Sequence, residues 1–165
     1  MASGEGNITD ILAKYAELKA LVEVAKKMGV QFKIEFPEIG CAWYFDPDPP
    51  RITVPVDKKW QCILQIDDSP TLRKFRMAHE LGHAVDWSSE CPNERCRKLR
   101  RKSEWCFYKE KKAWVNGLAL LEESGEIALA EREQYLSFAL YKLKTQTKHC
   151  IRDLVIDPGK IFENV

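Results

Sequence analysis

Two histidines and a glutamate near the middle of the chain have the types and spacing that metal chemistry needs. The run His79-Glu80-Leu81-Gly82-His83 is an HExxH sequence. On a helix its two histidines lie one turn apart on the same face, so both imidazoles can bind one Zn²⁺. Glu80 is turned about 100° from His79, where it can take a proton from water without being a ligand. The pattern predicts zinc ligands at His79 and His83 and a general base at Glu80.

A hydrolytic zinc site needs a third protein ligand and one open position for water. Three convergent groups cannot share one helical face, so the third ligand is expected from a downstream element. The candidates are Glu90, Glu104, Glu110, Glu122, Glu123, His149 and the cysteines. Glu110 is favoured because Ala113, Gly117 and Leu121 continue an apolar stripe from it. The adjacent Lys109, Lys111 and Lys112 fit a solvated helix face equally well, so spacing alone leaves both interpretations open.

Other side chains could assist the reaction without binding the metal. The groups able to stabilise an oxyanion are Tyr108, Tyr135, Tyr141 and His149. Asp86 could hold a ligand imidazole through its second nitrogen. Tyrosines at helical spacing are more often core residues, and Asp86 fits a solvent-facing position equally well. The sequence does not choose among them.

The residues around this motif predict helices. Ser69-Pro70 is a cap and first-turn pattern, which predicts a helix from about Pro70 to Trp87 with Phe75, Ala78 and Leu81 buried. Two further helices are predicted, from about Ser103 to Leu121 and from about Glu126 to Lys144, with a break at Ser124-Gly125. An N-terminal helix is expected to end at Gly29. Its apolar positions are Ile8, Ile11, Leu12, Tyr15, Leu18, Val22 and Ala25.

The segment between Val30 and Asp68 changes to the alternating pattern of strands. Strands are predicted around Phe32–Phe36, Cys41–Phe45, Ile52–Val56 and Trp60–Ile66, with a Pro-rich turn from Asp46 to Pro50. The expected fold class is α+β. A small antiparallel-rich or mixed sheet would pack against the HExxH helix and two or three further helices.

Composition is typical of one globular domain spanning residues 1–165, with residues 1–6 as a disordered tail. The chain has 165 residues, 45% of them hydrophobic, and a formal net charge of +1. The first ten residues lack the pattern of a signal peptide, and no apolar stretch is long enough to cross a bilayer. We therefore expect no membrane association and a cytoplasmic location, where most of the six cysteines stay reduced.

One segment departs from this neutral balance and suggests a different class of function. Between Cys91 and Lys112 there are nine Lys or Arg against three Glu. Its upstream basic residues are Arg95, Arg97, Lys98, Arg100, Arg101 and Lys102. Such a run could engage nucleic acid phosphates, an acidic protein partner or an acidic substrate, or simply be solvated. The alternative to an enzyme is therefore a non-catalytic zinc-containing binding module that uses segment 95–112. A structural zinc would require a fourth protein ligand.

The chain also resembles the ImmA/IrrE family of gluzincin-like metallopeptidases, over roughly Ile52 to Leu121. The stretch Thr71–His83 is similar to the family's run of Arg, Phe, a small hydrophobic residue, Ala and HELGH. Glu110-x-x-Ala113 followed by Leu120-Leu121 is similar to the family's E-x-x-A-N-x-F-A with a Leu-Leu tail. Two departures stand out, since the family's Asn is Trp114 here and its Phe-Ala is Asn116-Gly117.

The resemblance implies a zincin-like minimal domain with His79, His83 and Glu110 as ligands of Zn²⁺. It also implies a hydrolase that cleaves peptide bonds of a protein substrate, such as a regulator or repressor in a phage, mobile-element or stress circuit. The family's frequent helix-turn-helix module is absent from the sequence.

Overall fold

The structure is a computed structural model in which a helical N-terminal segment is followed by a small sheet and then by three long helices. It describes residues 8–37, 43–59, 62–64, 69–90, 102–146 and 157–165, with the backbone alone at 86–90, 102–106 and 158. Its helices are α1 (Ile8–Leu12), α2 (Lys19–Lys27), α3 (Pro70–Glu90), α4 (Lys102–Glu123) and α5 (Leu129–Gln146). Short 3-10 helices form at Ala16–Leu18 and Pro158–Lys160. The strands are β1 (Gln31–Glu35), β2 (Tyr44–Pro47), β3 (Pro50–Asp57) and β4 (Cys62–Ile63). The predicted α+β class is confirmed.

The N-terminal segment is not one continuous helix, and that prediction was wrong. The chain leaves the helix after Leu12 and becomes extended at Tyr15, with φ −111° and ψ 93°. The Tyr15 hydroxyl accepts a hydrogen bond from the Ile63 backbone N–H at 2.9 Å, and the Arg73 guanidinium lies 5.0 Å from its ring centroid. These long-range contacts outweigh local helix propensity. The predicted tail at residues 1–6 lies outside the described residues.

The sheet is built around β3, which is buried from Ile52 to Val56. Its neighbours in the order β1-β3-β2 are parallel on one side and antiparallel on the other, and β4 pairs antiparallel with the end of β3. The sheet is therefore mixed. Phe36 was expected in the first strand but follows its end and is exposed. The predicted strand over Trp60–Ile66 is a strand only at Cys62–Ile63 within the described residues.

The three long helices follow the predicted order with shifted ends. Helix α3 begins at Pro70 as expected, and Phe75, Ala78 and Leu81 are fully buried. Helix α5 begins at Leu129 rather than near Glu126. The reason is a cap, because the Glu131 carboxylate accepts a hydrogen bond from the Ala128 N–H at 3.1 Å. Gly125, with φ +70°, makes the predicted break.

Buried side chains from the N-terminal segment, the central strand and the three long helices form one core cluster. Its largest fully buried members are Tyr135, Phe75, Leu18, Leu21, Ile52, Met77, Leu81, Leu118, Leu121 and Leu143. Helix α3 packs against α4 on one side and contacts the sheet at β2 and β3. The HExxH residues lie on this helix, between α4 and the sheet. No helix in the part of the chain that the structure describes is long and apolar enough to cross a membrane.

Candidate metal centre

The two histidines of the motif lie in the middle of α3 with their rings side by side. Their centroids are 4.6 Å apart, with the ring planes inclined by 71°. The His79 side chain is 6% exposed and that of His83 8%. The four-residue spacing therefore places both imidazoles on one buried face, as predicted.

Glu110 reaches both histidines from α4. Its carboxylate oxygens lie 3.2 Å from the Nε2 atom of His79 and 3.4 Å from the Nε2 atom of His83. One donor atom from each of the three residues lies within 4.8 Å of the others. The inward orientation of Glu110 that the sequence left open is thus the observed one. The flanking Lys109 and Lys112 occupy the exposed side of the helix.

The other predicted third ligands are not at this cluster or are not described. Glu122 pairs with Arg132 at 2.8 Å, and Glu123 is exposed near the end of α4. The side chains of Glu90 and Glu104, together with His149, lie outside the described residues. So do Cys41, Cys91, Cys96, Cys150 and the side chain of Cys106, whereas Cys62 lies in β4. Among described residues, the cluster is His79, His83 and Glu110.

The donor atoms lie close enough together to bind one ion. One carboxylate oxygen of Glu110 lies 3.2 Å from the Nε2 atom of His79, and the other lies 3.4 Å from the Nε2 atom of His83. One donor atom from each of the three residues lies within 4.8 Å of the other two. Two imidazoles and one carboxylate are also a donor set that Zn²⁺ accepts. The residues present therefore fit a zinc ion.

Burial and hydrogen bonding shift the pKa values of His79 and Glu110 in this cluster. It lowers the pKa of His79 to about 4, despite the opposing effect of the Glu110 carboxylate. Burial alone would raise the pKa of Glu110, but hydrogen bonds to His79 and His83 outweigh it and hold that pKa well below its usual range. A neutral His79 imidazole beside an ionised Glu110 carboxylate is the combination that a divalent cation requires.

Glu80 lies in the same helix but is held by the sheet. It is buried, and its carboxyl accepts a hydrogen bond from the backbone N–H of Phe45 in β2. Burial raises the pKa of Glu80 well above its usual value, and the charge of Glu110 adds to this, whereas the Phe45 N–H opposes it. A carboxyl in these surroundings can take and return a proton. Phe45 was not foreseen as a contributor because its backbone, not its side chain, makes the contact.

Glycines allow the close approach of α3 and α4 that brings Glu110 to the histidines. A Cβ atom at Gly82 would collide with the carbonyl group of Ala113. One at Gly117 would lie 2.6 Å from both the Ala78 carbonyl oxygen and the Tyr135 hydroxyl. The two backbones therefore touch without intervening side chains. The predicted stripe from Glu110 through Ala113, Gly117 and Leu121 does press against the HExxH helix.

Two α4 residues that depart from the family pattern contact the motif helix directly. Asn116 donates a hydrogen bond from Nδ2 to the Gly82 carbonyl at 3.2 Å. Trp114 stacks on His79, with ring centroids 4.0 Å apart and planes inclined by 22°. Sequence reasoning did not assign either contact. The available signal was spacing, because Trp114 lies four residues after Glu110 and so on nearly the same face.

The predicted oxyanion candidates are distributed across the molecule. Tyr135 is fully buried, and its hydroxyl donates to the Trp114 carbonyl at 2.8 Å. Tyr108 is 54% exposed and Tyr141 60% exposed. Asp86 is described by its backbone alone, and His149 lies outside the described residues. The same holds for the basic run, since Arg95, Arg97, Lys98, Arg100 and Arg101 are not described and Lys102 only by its backbone.

Comparison with known proteins gives no match for this chain. No protein-family model matches it, and neither a curated protein nor a solved structure shows significant similarity. The site must therefore be interpreted from its own geometry and chemistry.

Proposed function

We propose that this chain is a zinc-dependent metallopeptidase, with a zincin-like arrangement of His79, His83 and Glu110 around one Zn²⁺. One observation carries the proposal. A carboxylate from a separate helix meets the Nε2 atoms of both HExxH histidines at 3.2 and 3.4 Å. An ion pair on the surface would form without close contact between two helix backbones. Here Gly82 and Gly117, which have no side chains, allow α3 and α4 to approach closely.

Each residue then has a separate role. His79, His83 and Glu110 would hold the ion through two imidazole nitrogens and a carboxylate, the donor set of three protein groups that catalytic zinc sites use. Bound there, Zn²⁺ supplies Lewis acidity, which makes water a better nucleophile and a carbonyl a better electrophile. Glu80 would accept one proton from the attacking water while the water oxygen forms a bond to the peptide carbonyl carbon. It would return that proton to the departing amine when the C–N bond breaks.

The substrate class follows from the resemblance to the ImmA/IrrE family. In support, HELGH lies on a helix that follows a small sheet, and the matching glutamate lies on the next helix described. We propose a protein or peptide substrate, in particular a regulator or repressor in a phage, mobile-element or stress circuit. A zinc-containing binding module acting through segment 95–112 is the alternative, and no described contact favours it.

Cleavage and zinc retention measured together test the proposal. Zinc-loaded wild-type protein and Glu80→Gln would be incubated with a proteome-derived peptide library, and new termini would be identified by mass spectrometry. We expect wild-type protein to cleave and Glu80→Gln to retain one zinc without cleaving, because the amide cannot take the proton. Glu133→Gln, an exposed change on α5, is the matched control and should cleave normally. Failure of the zinc-loaded wild type to cleave any peptide, or full cleavage by Glu80→Gln, would contradict the mechanism.

A further inference from the structure

The buried imidazole of His79 lacks the contact that usually orients a metal-binding histidine. Such a ring normally donates its second N–H to a carboxylate, a carbonyl or water, which fixes its plane and its tautomer. The Nδ1 atom of His79 is buried, and it has no hydrogen-bond partner among the described residues. Something other than a hydrogen bond donated by Nδ1–H must therefore fix this ring.

Aromatic packing takes that place. The indole of Trp114 lies against His79 with a centroid distance of 4.0 Å and an interplanar angle of 22°, so one face of the imidazole is covered by a nearly parallel plane. The His83 ring contacts His79 edge to face, at 71°. Rotation of the His79 ring about its Cβ–Cγ bond would break the stack, because the indole leaves no room for a tilted plane at this distance.

The indole is itself fixed from behind by α5. Trp114 is 2% exposed. Its ring makes edge-to-face contacts with Tyr135 at 5.6 Å and Phe138 at 5.7 Å, and its carbonyl accepts the Tyr135 hydroxyl at 2.8 Å. The indole N–H has no partner among described residues, so packing alone determines the ring position. The indole of Trp114 is therefore held in a fixed position against the candidate ligand His79.

We propose that Trp114 is a positioning residue of the metal centre, which sets the ring plane of His79 by stacking where other sites use a hydrogen bond donated by Nδ1–H. The inference rests on the proposed zinc binding. Helix α4 then contributes one ligand, Glu110, and, four residues later, Trp114, whose indole packs against the second ligand, His79. Their common helix couples the two, so that Nε2 of His79 and the Glu110 carboxylate face the same point.

A tryptophan that only fills the core would behave differently, and the chain contains a matched example. Trp43 is also buried, at 8% exposure, and its indole N–H also lacks a hydrogen-bond partner among the described residues. It precedes β2 rather than lying on α3 or α4. Trp43→Leu and Trp114→Leu therefore remove the same ring from a buried position, and only the second removes a stack on a candidate ligand.

The experiment measures Zn²⁺ affinity by chelator competition and the visible absorption of the Co²⁺ form, whose bands depend on coordination geometry. Folding is checked by near-UV circular dichroism. We expect Trp114→Leu to weaken Zn²⁺ binding by about 10- to 100-fold and to alter the Co²⁺ bands. Trp114→Phe retains an aromatic plane and should bind within about threefold of wild type with unchanged bands. Trp43→Leu should lose stability but retain both the affinity and the bands.

The outcomes separate this inference from the proposed function. Absence of Zn²⁺ binding by the wild-type protein would overturn both. Wild-type binding with unchanged affinity and Co²⁺ bands in Trp114→Leu would overturn the positioning role alone, as would equal losses in Trp114→Leu and Trp43→Leu. If Trp114→Leu does not fold, Trp114→Met, which fills the space with a flexible chain, is measured in its place with the same expected results.

Discussion

Gly82 of the HExxH helix lies directly against the Ala113 carbonyl of α4, with no space for a side chain between them. Gly82→Ala would place a Cβ atom in collision with that carbonyl and 2.9 Å from the Gly117 nitrogen, so the two helices must separate. We expect a loss of about 1–3 kcal/mol in the free energy of unfolding. Because Glu110 would move away from His79 and His83, zinc affinity should fall as well.

Urea unfolding and zinc titration of this variant measure the two effects. Gly159→Ala is the control, because its added Cβ would meet only a side-chain oxygen of Asp157, at 3.3 Å, and no backbone atom of another helix. It should change neither quantity appreciably. Wild-type stability and affinity in Gly82→Ala would show that the helix contact does not set the site.

Glu110→Gln should weaken zinc binding by at least about tenfold, because an amide oxygen carries no charge to offset that of the ion. The change preserves size, so the fold should persist and the loss should appear in the metal titration alone. Glu123→Gln makes the same substitution at an exposed position on the same helix. Equal affinities in the two variants would remove Glu110 from the ligand set.

Tyr135→Phe removes a buried hydroxyl that donates to the Trp114 carbonyl at 2.8 Å. The ring contacts with Phe75 and Trp114 remain possible, so the expected loss is that of one hydrogen bond, about 1 kcal/mol. Thermal or urea unfolding measures it. Tyr141→Phe, at a position 60% exposed, should be neutral. A neutral Tyr135→Phe would mean that the hydroxyl contributes nothing to holding α4 against α5.

The Glu131 carboxylate gives the fold a pH-dependent contribution. The N–H of Ala128 lowers the pKa of Glu131, burial opposes this, and the Lys74 ammonium at 3.1 Å adds to the lowering. Because the pKa is lower in the folded state, ionised Glu131 stabilises the fold at pH values above its unfolded-state pKa, about 4.3. This stabilisation is lost as the pH falls through the folded-state pKa. Glu131→Gln should therefore cost roughly 0.5 kcal/mol at pH 7, and this cost should shrink as the pH falls through the folded-state pKa.

Urea unfolding of wild type and Glu131→Gln across pH 3–7 measures this difference. The exposed Glu133→Gln serves as control on the same helix. A deficit of the same size at every pH would assign the effect of Glu131 to packing rather than charge.

Local patterns were sufficient to predict the elements that carry the site. The HExxH helix, its start at Pro70 and the alternating strand at Ile52–Val56 depend on side-chain periodicity and caps, which neighbouring residues determine. Periodicity failed at Tyr15, where a hydrogen bond from Ile63 and a ring contact with Arg73 accompany an extended residue inside an otherwise helical pattern. No local signal encodes partners that distant along the chain.

Spacing could not choose the third ligand, because Glu110 lies among lysines and its orientation depends on how α3 and α4 pack. That packing depends on Gly82 and Gly117, which are 35 positions apart in the sequence and meet only in the fold. The stack of Trp114 on His79 is a contact of the same kind. It follows from the helix pair, so it was not foreseeable before the pair was known.

X-ray absorption at the zinc edge of the purified, zinc-loaded protein tests the central claim most directly, since it reports the donors around the ion. The account predicts one zinc per chain, with about four nitrogen or oxygen donors near 2.0–2.1 Å, and the scattering pattern of two imidazoles. Sulfur at about 2.3 Å would place a cysteine in a closed, structural site. That result, or the absence of stoichiometric zinc, would contradict a hydrolytic centre formed by His79, His83 and Glu110.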